Sequence, residues 1–338
     1  KNAEEALVLS QRLEQAEHRA GYAEAKIAEL QRAQESTLAL LEIKRAELRE
    51  AQAFLTLVDG VDDRQVLQLV RQLNAMIHQT SNSIADTFHS QYEEVQDGGV
   101  SEEVYRRLLA DFLTPRLLTA IRSFDHRRDS VLTQAALASA MCSYIRWFCN
   151  TWDLWLTESP PILQTLYSHI SQNEPQSVAG KWRALSRKHV IDLALEHGWR
   201  RDMAWRPLGE NVADVLLACG APNAILDFVL QRYGDALRDL VDTALMFQRT
   251  AGEQVVSRDF HVVLVEAGSA FDDGRMVDEW SDPTRRCSST TAQRVVCTTQ
   301  LGLTFTKGAG RGEAGAGVTE EAILLKPQVV RESSLEEV

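Results

Sequence analysis

The chain has 338 residues, 44% of them apolar, enough to bury the cores of two or three packed units. Its formal net charge of −12 disfavours a general nucleic-acid binder, because phosphate backbones select basic surfaces. No window approaches the roughly 18 to 20 consecutive apolar residues of a membrane span. The five cysteines are scattered without a CxxC spacing, which fits the cytoplasm or nucleus better than a secreted disulfide framework.

Residues 1–58 read as one long helix, free of proline and with Gly21 as the sole glycine. Every seventh residue from Ala6 gives Ala6, Leu13, Ala20, Ile27, Gln34, Leu41, Leu48 and Leu55. Three further on come Leu9, Ala16, Ala23, Leu30, Thr37, Lys44 and Ala51. This is the heptad seam of a left-handed coiled coil. It is alanine-rich at its start and polar at Gln34, Thr37 and Lys44. Arg12 with Glu17, and Arg19 with Glu24, have the five-residue offset that bridges two parallel helices; close antiparallel packing is the other option. Leu13, Ile27, Leu30, Leu41 and Leu48 are the candidate partner-binding residues of this segment, the partner being a second copy or another protein.

Gly60 breaks the helix, and Asp62 or Asp63 can cap the next. Residues 64–92 place Val66, Leu69, Val70, Leu73, Ile77, Ile84 and Phe88 on one face, with Asn74, His78 and Asn82 elsewhere. A helix is expected from Ser101 to Phe112, with a break at Thr114–Pro115 and a second piece to about Phe124. A long apolar stretch runs from Asp129 to Leu156, and a short helix from Pro160–Pro161 to Ile170. Further helices are expected over 176–197, from roughly Glu210 to Ala218, and from Pro222 to about Gln248. Residues 62–250 therefore form a helical domain whose short connections favour antiparallel neighbours.

From residue 251 the period changes. "VVSRDFHVVLVEAG", "RVVCTTQLGLTFTK" (294–307) and "EEAILLKPQVV" (320–330) read as three strands of a β-rich unit, 251–338. Between the last two lies a flexible glycine-rich loop, 307–317. Its Gly310, Gly312 and Gly315 have GxGxxG spacing. That loop leaves one strand for another rather than opening a helix, so no dinucleotide cofactor is expected.

Catalytic motifs are absent: there is no GxxxxGK[ST], HExxH or GxSxG, and no catalytic residue, cofactor or metal ligand is assigned. The acidic run "FDDGRMVDEWSD" (271–282) sets its aspartates side by side rather than at alternating positions. It reads as an Asp272-Asp273-Gly274 turn rather than a calcium loop. In "MCSYIRWFCNTWDLWL" (141–156), Met141, Ile145, Phe148, Trp152 and Trp155 share a helix face, expected to be core, with a peptide groove as the alternative. Cys142 and Cys149 read as buried thiols. The run "KWRALSRK" supplies Lys181, Arg183, Arg187 and Lys188 beside Trp182, joined by Arg200, Arg201 and Arg206. It reads as a solvated helix face, with a phosphate- or nucleic-acid-binding patch over 181–206 as the alternative.

Five stretches resemble counterparts in a group of coiled-coil proteins of basidiomycete fungi: "LVRQLNAMIHQTSNSIADTF" (69–88), "GKWRALSRKHV" (180–190), "FDDGRMVDEW" (271–280), "CTTQLGL" (297–303) and "LLKPQVV" (324–330). That resemblance spans nearly the whole chain and implies an intracellular fungal protein of coiled coil, helical body and small β-like tail. It carries no assigned activity. The order of long coiled helix, helical body and terminal β unit with a Lys-Pro strand is also similar to the GrpE nucleotide-exchange factors of chaperones, though the helical body here is far larger.

The expected fold is mainly α: a long N-terminal coiled-coil helix, a multi-helix domain and a small C-terminal β-rich unit. The expected function is that of a non-enzymatic interaction or scaffold protein acting through its coil, with no membrane partner. The alternatives are an enzyme with an unrecognised site in the helical domain, or a phosphate-binding module built on 181–206.

Overall fold

The computed structural model describes residues 2–55, 59–91, 101–111, 113–126, 128–152, 162–196, 198–199, 202–280, 293–307 and 320–335. Its contacts divide the chain into two compact units, Lys1–Thr56 and Leu57–Val338. The first is a single helix, α1 (Asn2–Leu55). At 1.5 Å per residue it is about 80 Å long, as the unbroken run of strong helix formers predicts.

The second unit begins with α2 (Asp63–Gln91), then α3 (Glu102–Asp111), α4 (Pro115–Ser123), α5 (Val131–Asn150), α6 (Ile162–Asn173), α7 (Gln176–Glu196), α8 (Asp202–Ala218) and α9 (Ile225–Glu253). Asp62 supplies the expected start signal. Its Oδ1 accepts from the Gln65 backbone N–H at 2.9 Å, while Gln65 Oε1 accepts from the Asp62 N–H at 3.0 Å, a reciprocal capping box. Thr114 caps α4 by accepting from Leu117 N at 3.1 Å, with Pro115 at the first helical position where no N–H is needed.

Helix α5 is buried around most of its circumference and sits at the centre, packed by α2, α8 and α9. Two helices start elsewhere than the sequence suggests. Helix α8 begins at Asp202 rather than near Glu210 and holds Pro207 inside it. Helix α9 begins at Ile225, three residues after Pro222, whose carbonyl accepts from Ile225 N at 3.0 Å.

Among the described residues six strands and a turn of helix follow: β1 (Asp259–Val263), β2 (Val277–Asp278), β3 (Val295–Gln300), β4 (Gly302–Lys307), β5 (Glu320–Leu325), β6 (Gln328–Arg331) and α10 (Glu332–Leu335). They form two three-stranded sheets, ordered β1-β4-β5 and β2-β6-β3. The two strands expected over 294–307 and 320–330 are each broken in two. Both breaks fall at the same level of one antiparallel ribbon: Leu303 pairs with Leu325 on one side, and Gln300 with Gln328 on the other. The ribbon bends there and its halves enter different sheets. Pro327 has no N–H for a ladder. Opposite it Gly302 leaves no room for a side chain, since a Cβ would lie 2.7 Å from Pro327 Cδ and 2.9 Å from Val263 Cγ2. The apolar pattern is interrupted at the bend, by Thr298, Thr299 and Gln300 on one side and by Lys326, Pro327 and Gln328 on the other, yet β-forming residues before and after make each stretch read as one strand.

The change of period near residue 251 marks a change of element type within one core. Val66, Leu73, Leu137, Ile145, Leu237, Val296, Leu301, Leu303 and Val330 belong to a single buried cluster drawn from helices and strands alike. Asn74 seals the join. Its Nδ2 donates to Leu301 O at 2.9 Å and its Oδ1 accepts from Leu301 N at 2.8 Å, so this residue points into the core rather than away from it. The glycine-rich loop beyond Lys307, with Gly310, Gly312 and Gly315, lies outside the described residues.

Candidate functional site

Helix α1 carries the first candidate. Leu13, Ile27, Leu30, Leu41 and Leu48 are all exposed, between 41% and 61% of their surface. Leu38 and Leu40 are exposed as well and flank Leu41 on either side, widening the apolar stripe where the heptad seam turns polar at Gln34, Thr37 and Lys44. Lys44 is turned along its own helix, with Nζ 2.7 Å from Glu47 Oε2. Lys26–Glu29 at 2.8 Å and Glu42–Arg45 at 3.1 Å are further pairs of this kind. Arg19 and Glu24 form no such pair among the described residues. The side chains of Ala6, Leu9, Arg12, Ala16, Ala51 and Leu55 lie outside the described ones.

The second candidate is a partly open cavity of about 150 Å³ between the end of α5, helices α6, α7 and α9, and strand β1. Helix α7 lines it with Arg183 and Arg187, which share one helix face with Gly180 and Ala184 at three- and four-residue spacing. The basic run is therefore split. Lys188 is exposed and Lys181 half-buried on another side of the helix, while Arg183 is only 4% exposed. The expectation of one solvated basic face fails for Arg183, because glycine and alanine around it let α7 approach the body closely. At Gly180 an added Cβ would lie 2.0 Å from Val256 O, and at Gly252 one would lie 2.4 Å from Arg187 Cδ.

Arg183 ties α7 to the connection between α9 and β1. It donates to the carbonyls of Val255 and Arg258 and forms an ion pair with Asp259. Asp259 also accepts from the Tyr167 hydroxyl at 2.6 Å. Arg187 reaches the end of α5, donating to Asn150 O and Thr151 O at 3.3 Å each, with its guanidinium 4.6 Å from the centre of the Trp152 ring. Among the described residues no carboxylate lies within ion-pair distance of it. The Nε atoms of both arginines are buried and have no hydrogen-bond partner.

The electrostatics follow from burial and from two neighbouring guanidinium groups of which only Arg183 is directly paired, with Asp259, while Glu253 and Asp59 act on the pair from farther away. Burial, then the neighbouring Arg183, push Arg187 down to about 10. Burial and both arginines lower His261, which also lines the cavity. Burial raises the Tyr167 hydroxyl against the opposing pull of the arginines. The Cys149 thiol is pushed well up by burial, so it stays protonated and is a poor nucleophile. These groups suit binding an anion better than attacking a substrate.

Met141, Ile145 and Phe148 are core, Trp152 joins a smaller cluster with Tyr167 and Ala179, and Trp147 is exposed. Trp155 lies outside the described residues, as do Cys287, Arg200, Arg201 and Asp282. Cys142 and Cys149 are buried free thiols. In the acidic run, Asp272 Oδ1 accepts from Gly274 N at 2.8 Å and its carbonyl from Arg275 and Met276, a closed turn. Asp278 is buried against Arg331.

Asp259, Tyr167, His261 and Gly252 were not marked by the sequence. The available signal was the small-residue face of α7, on which Arg183 and Arg187 fall and Lys181 and Lys188 do not. Comparison of the chain with protein-family models, with curated proteins and with solved structures gives no match. No helix among the described residues is long and apolar enough to cross a membrane.

Proposed function

We propose that this chain is an interaction protein whose long N-terminal helix pairs with a second copy of itself in parallel register. The observation that carries this reading is the row of exposed aliphatic side chains on α1, Leu13, Ile27, Leu30, Leu38, Leu41 and Leu48. Burying a side chain of this size contributes about 1.5–3 kcal/mol, so a helix pair recovers much that a lone helix leaves in water. Charge favours the parallel arrangement and a self-partner. Glu17, Arg19 and Glu24 are exposed, and in a parallel pair Arg12 meets the second copy's Glu17 and Arg19 its Glu24, each contact made twice by symmetry. Farther along, the charges are instead paired within the helix, as Lys26–Glu29, Glu42–Arg45 and Lys44–Glu47.

Light scattering on the full chain tests this. The expected mass is twice the 37.9 kDa of one chain, reverting to one chain when Leu30→Lys and Leu41→Lys are combined. A monomer at tens of micromolar concentration, at which coils of this length ordinarily associate, removes the reading. The register has its own check. Glu17→Lys with Glu24→Lys weakens self-pairing, and mixing that variant with Arg12→Glu, Arg19→Glu chains restores it as a mixed dimer.

A further inference from the structure

We infer that the cavity between α7 and β1 is a binding site for a small oxyanion, held between the guanidinium groups of Arg183 and Arg187. The site is independent of helix pairing. Arg183 has its counter-charge in Asp259, whereas Arg187 has no carboxylate within ion-pair distance among the described residues, Glu253 acting on it only from farther away, and its two carbonyl contacts are long. A buried guanidinium without a carboxylate is costly unless another group supplies negative charge. The carbonyl ends of α5 and α9 offset part of this through their dipoles, yet they leave the Nε–H of each arginine unpartnered and buried beside the cavity. An oxyanion in the cavity supplies the negative charge and the acceptors that the two guanidinium groups lining it lack among the described residues.

The remaining lining completes such a site. Gln164 and His261 supply polar groups not otherwise hydrogen-bonded by their side chains among the described residues, and Trp152 backs Arg187 and fixes its plane. Gly252 keeps open the space the Arg187 stem occupies. About 150 Å³ admits an ion of phosphate or sulfate size and excludes a polynucleotide or a folded domain. Burial also gives the arrangement its selectivity for charge. The two guanidinium groups repel each other, so filling the cavity with an anion relieves a strain that a neutral ligand leaves in place.

The probes are inorganic phosphate, sulfate and acetate, added to the full chain against chloride at matched ionic strength. Trp152 lies beside Arg187, so intrinsic tryptophan fluorescence reads occupancy, and the melting temperature reads linkage. A saturable change with at least one of the three ions, accompanied by a rise in Tm, is the expected result. Arg187→Met weakens it at least about tenfold, the worth of a charge-assisted hydrogen-bond pair, while Lys188→Met on the exposed side of the same helix leaves it intact. Absence of a saturable response to all three ions overturns the site, as does a response that survives Arg187→Met. If Arg187→Met fails to fold, labelling of the unmutated chain with phenylglyoxal decides. Protection of Arg187 or Arg183 by phosphate supports the site, and equal labelling with and without phosphate overturns it.

Discussion

Single polar residues inside the body hold positions that backbone groups would otherwise leave empty. Asn74 stands in for a strand at the ribbon bend, satisfying both the N–H and the carbonyl of Leu301 in a setting where that leucine is fully buried. Replacing it with leucine of similar volume strands two backbone groups away from water. The expected loss is about 2–4 kcal/mol, read as a lower midpoint in urea denaturation. His126 is a second case. Its Nε2–H donates to Ile121 O at 2.6 Å and its Nδ1 lies 3.0 Å from the Thr133 hydroxyl. Burial lowers its pKa below the ordinary 6.5, against the opposing pull of the Ile121 hydrogen bond and of Asp125. Between the folded and unfolded values the unfolded chain binds more protons. Stability is therefore full above about pH 6.5 and is lost as pH falls toward the folded value. His261, shifted in the same direction, adds to this slope. In His126→Gln the fall in denaturation midpoint between about pH 7 and 5.5 should be shallower than in the parent chain; an unchanged slope would show that this ring does not titrate on unfolding.

At the scale of elements, two glycines inside helices make opposite predictions from the same substitution. Alanine is favoured over glycine in a helix by about 0.8–1 kcal/mol. Gly21 in α1 has nothing within 4 Å of an added Cβ, so Gly21→Ala should raise helicity and stabilise α1 by about that amount. Gly180 in α7 meets the Val256 carbonyl, so Gly180→Ala should cost about 1–3 kcal/mol despite its better propensity. Circular dichroism during denaturation checks both signs. The pair also shows what was legible in the sequence. Helix existence was, because propensity, capping at Asp62 and Thr114, and apolar period are local. The closeness of α7 to its neighbours was legible only as the row Gly180, Ala184 with Arg183 and Arg187, and its meaning depends on Val256 and Gly252, more than sixty residues away. The start of α8 was hidden because Pro207 reads as a boundary, though it lies in the second turn of that helix. The ribbon bend was marked only by Gly302 and by Lys326–Pro327, and the β-forming residues on both sides of each made the two stretches read as single strands.

For the molecule as a whole, the decisive question is whether the strands are an appendage or part of the body. Val296, Leu301, Leu303 and Val330 are each at most 2% exposed and lie in one cluster with the apolar faces of α2, α5 and α9. At about 1.5–3 kcal/mol for each such side chain, removing them withdraws an amount comparable to the 5–15 kcal/mol by which a domain of ordinary size is stable. The loss also falls on α5, whose face packed on β3 would then be open to water. Residues 59–338 should therefore unfold in a single transition, with the helical signal and the tryptophan fluorescence changing together. A chain ending after Gln254 should show no cooperative transition and should bind hydrophobic dyes, as helical bodies with an uncovered core do. Arg183 sharpens the expectation, because the same truncation removes Val255, Arg258 and Asp259, the partners that neutralise and hold it. A buried guanidinium deprived of them is expelled toward water and takes α7 with it. A cooperative transition in the truncated chain, at a midpoint close to that of residues 59–338, would instead make the strands an independent unit.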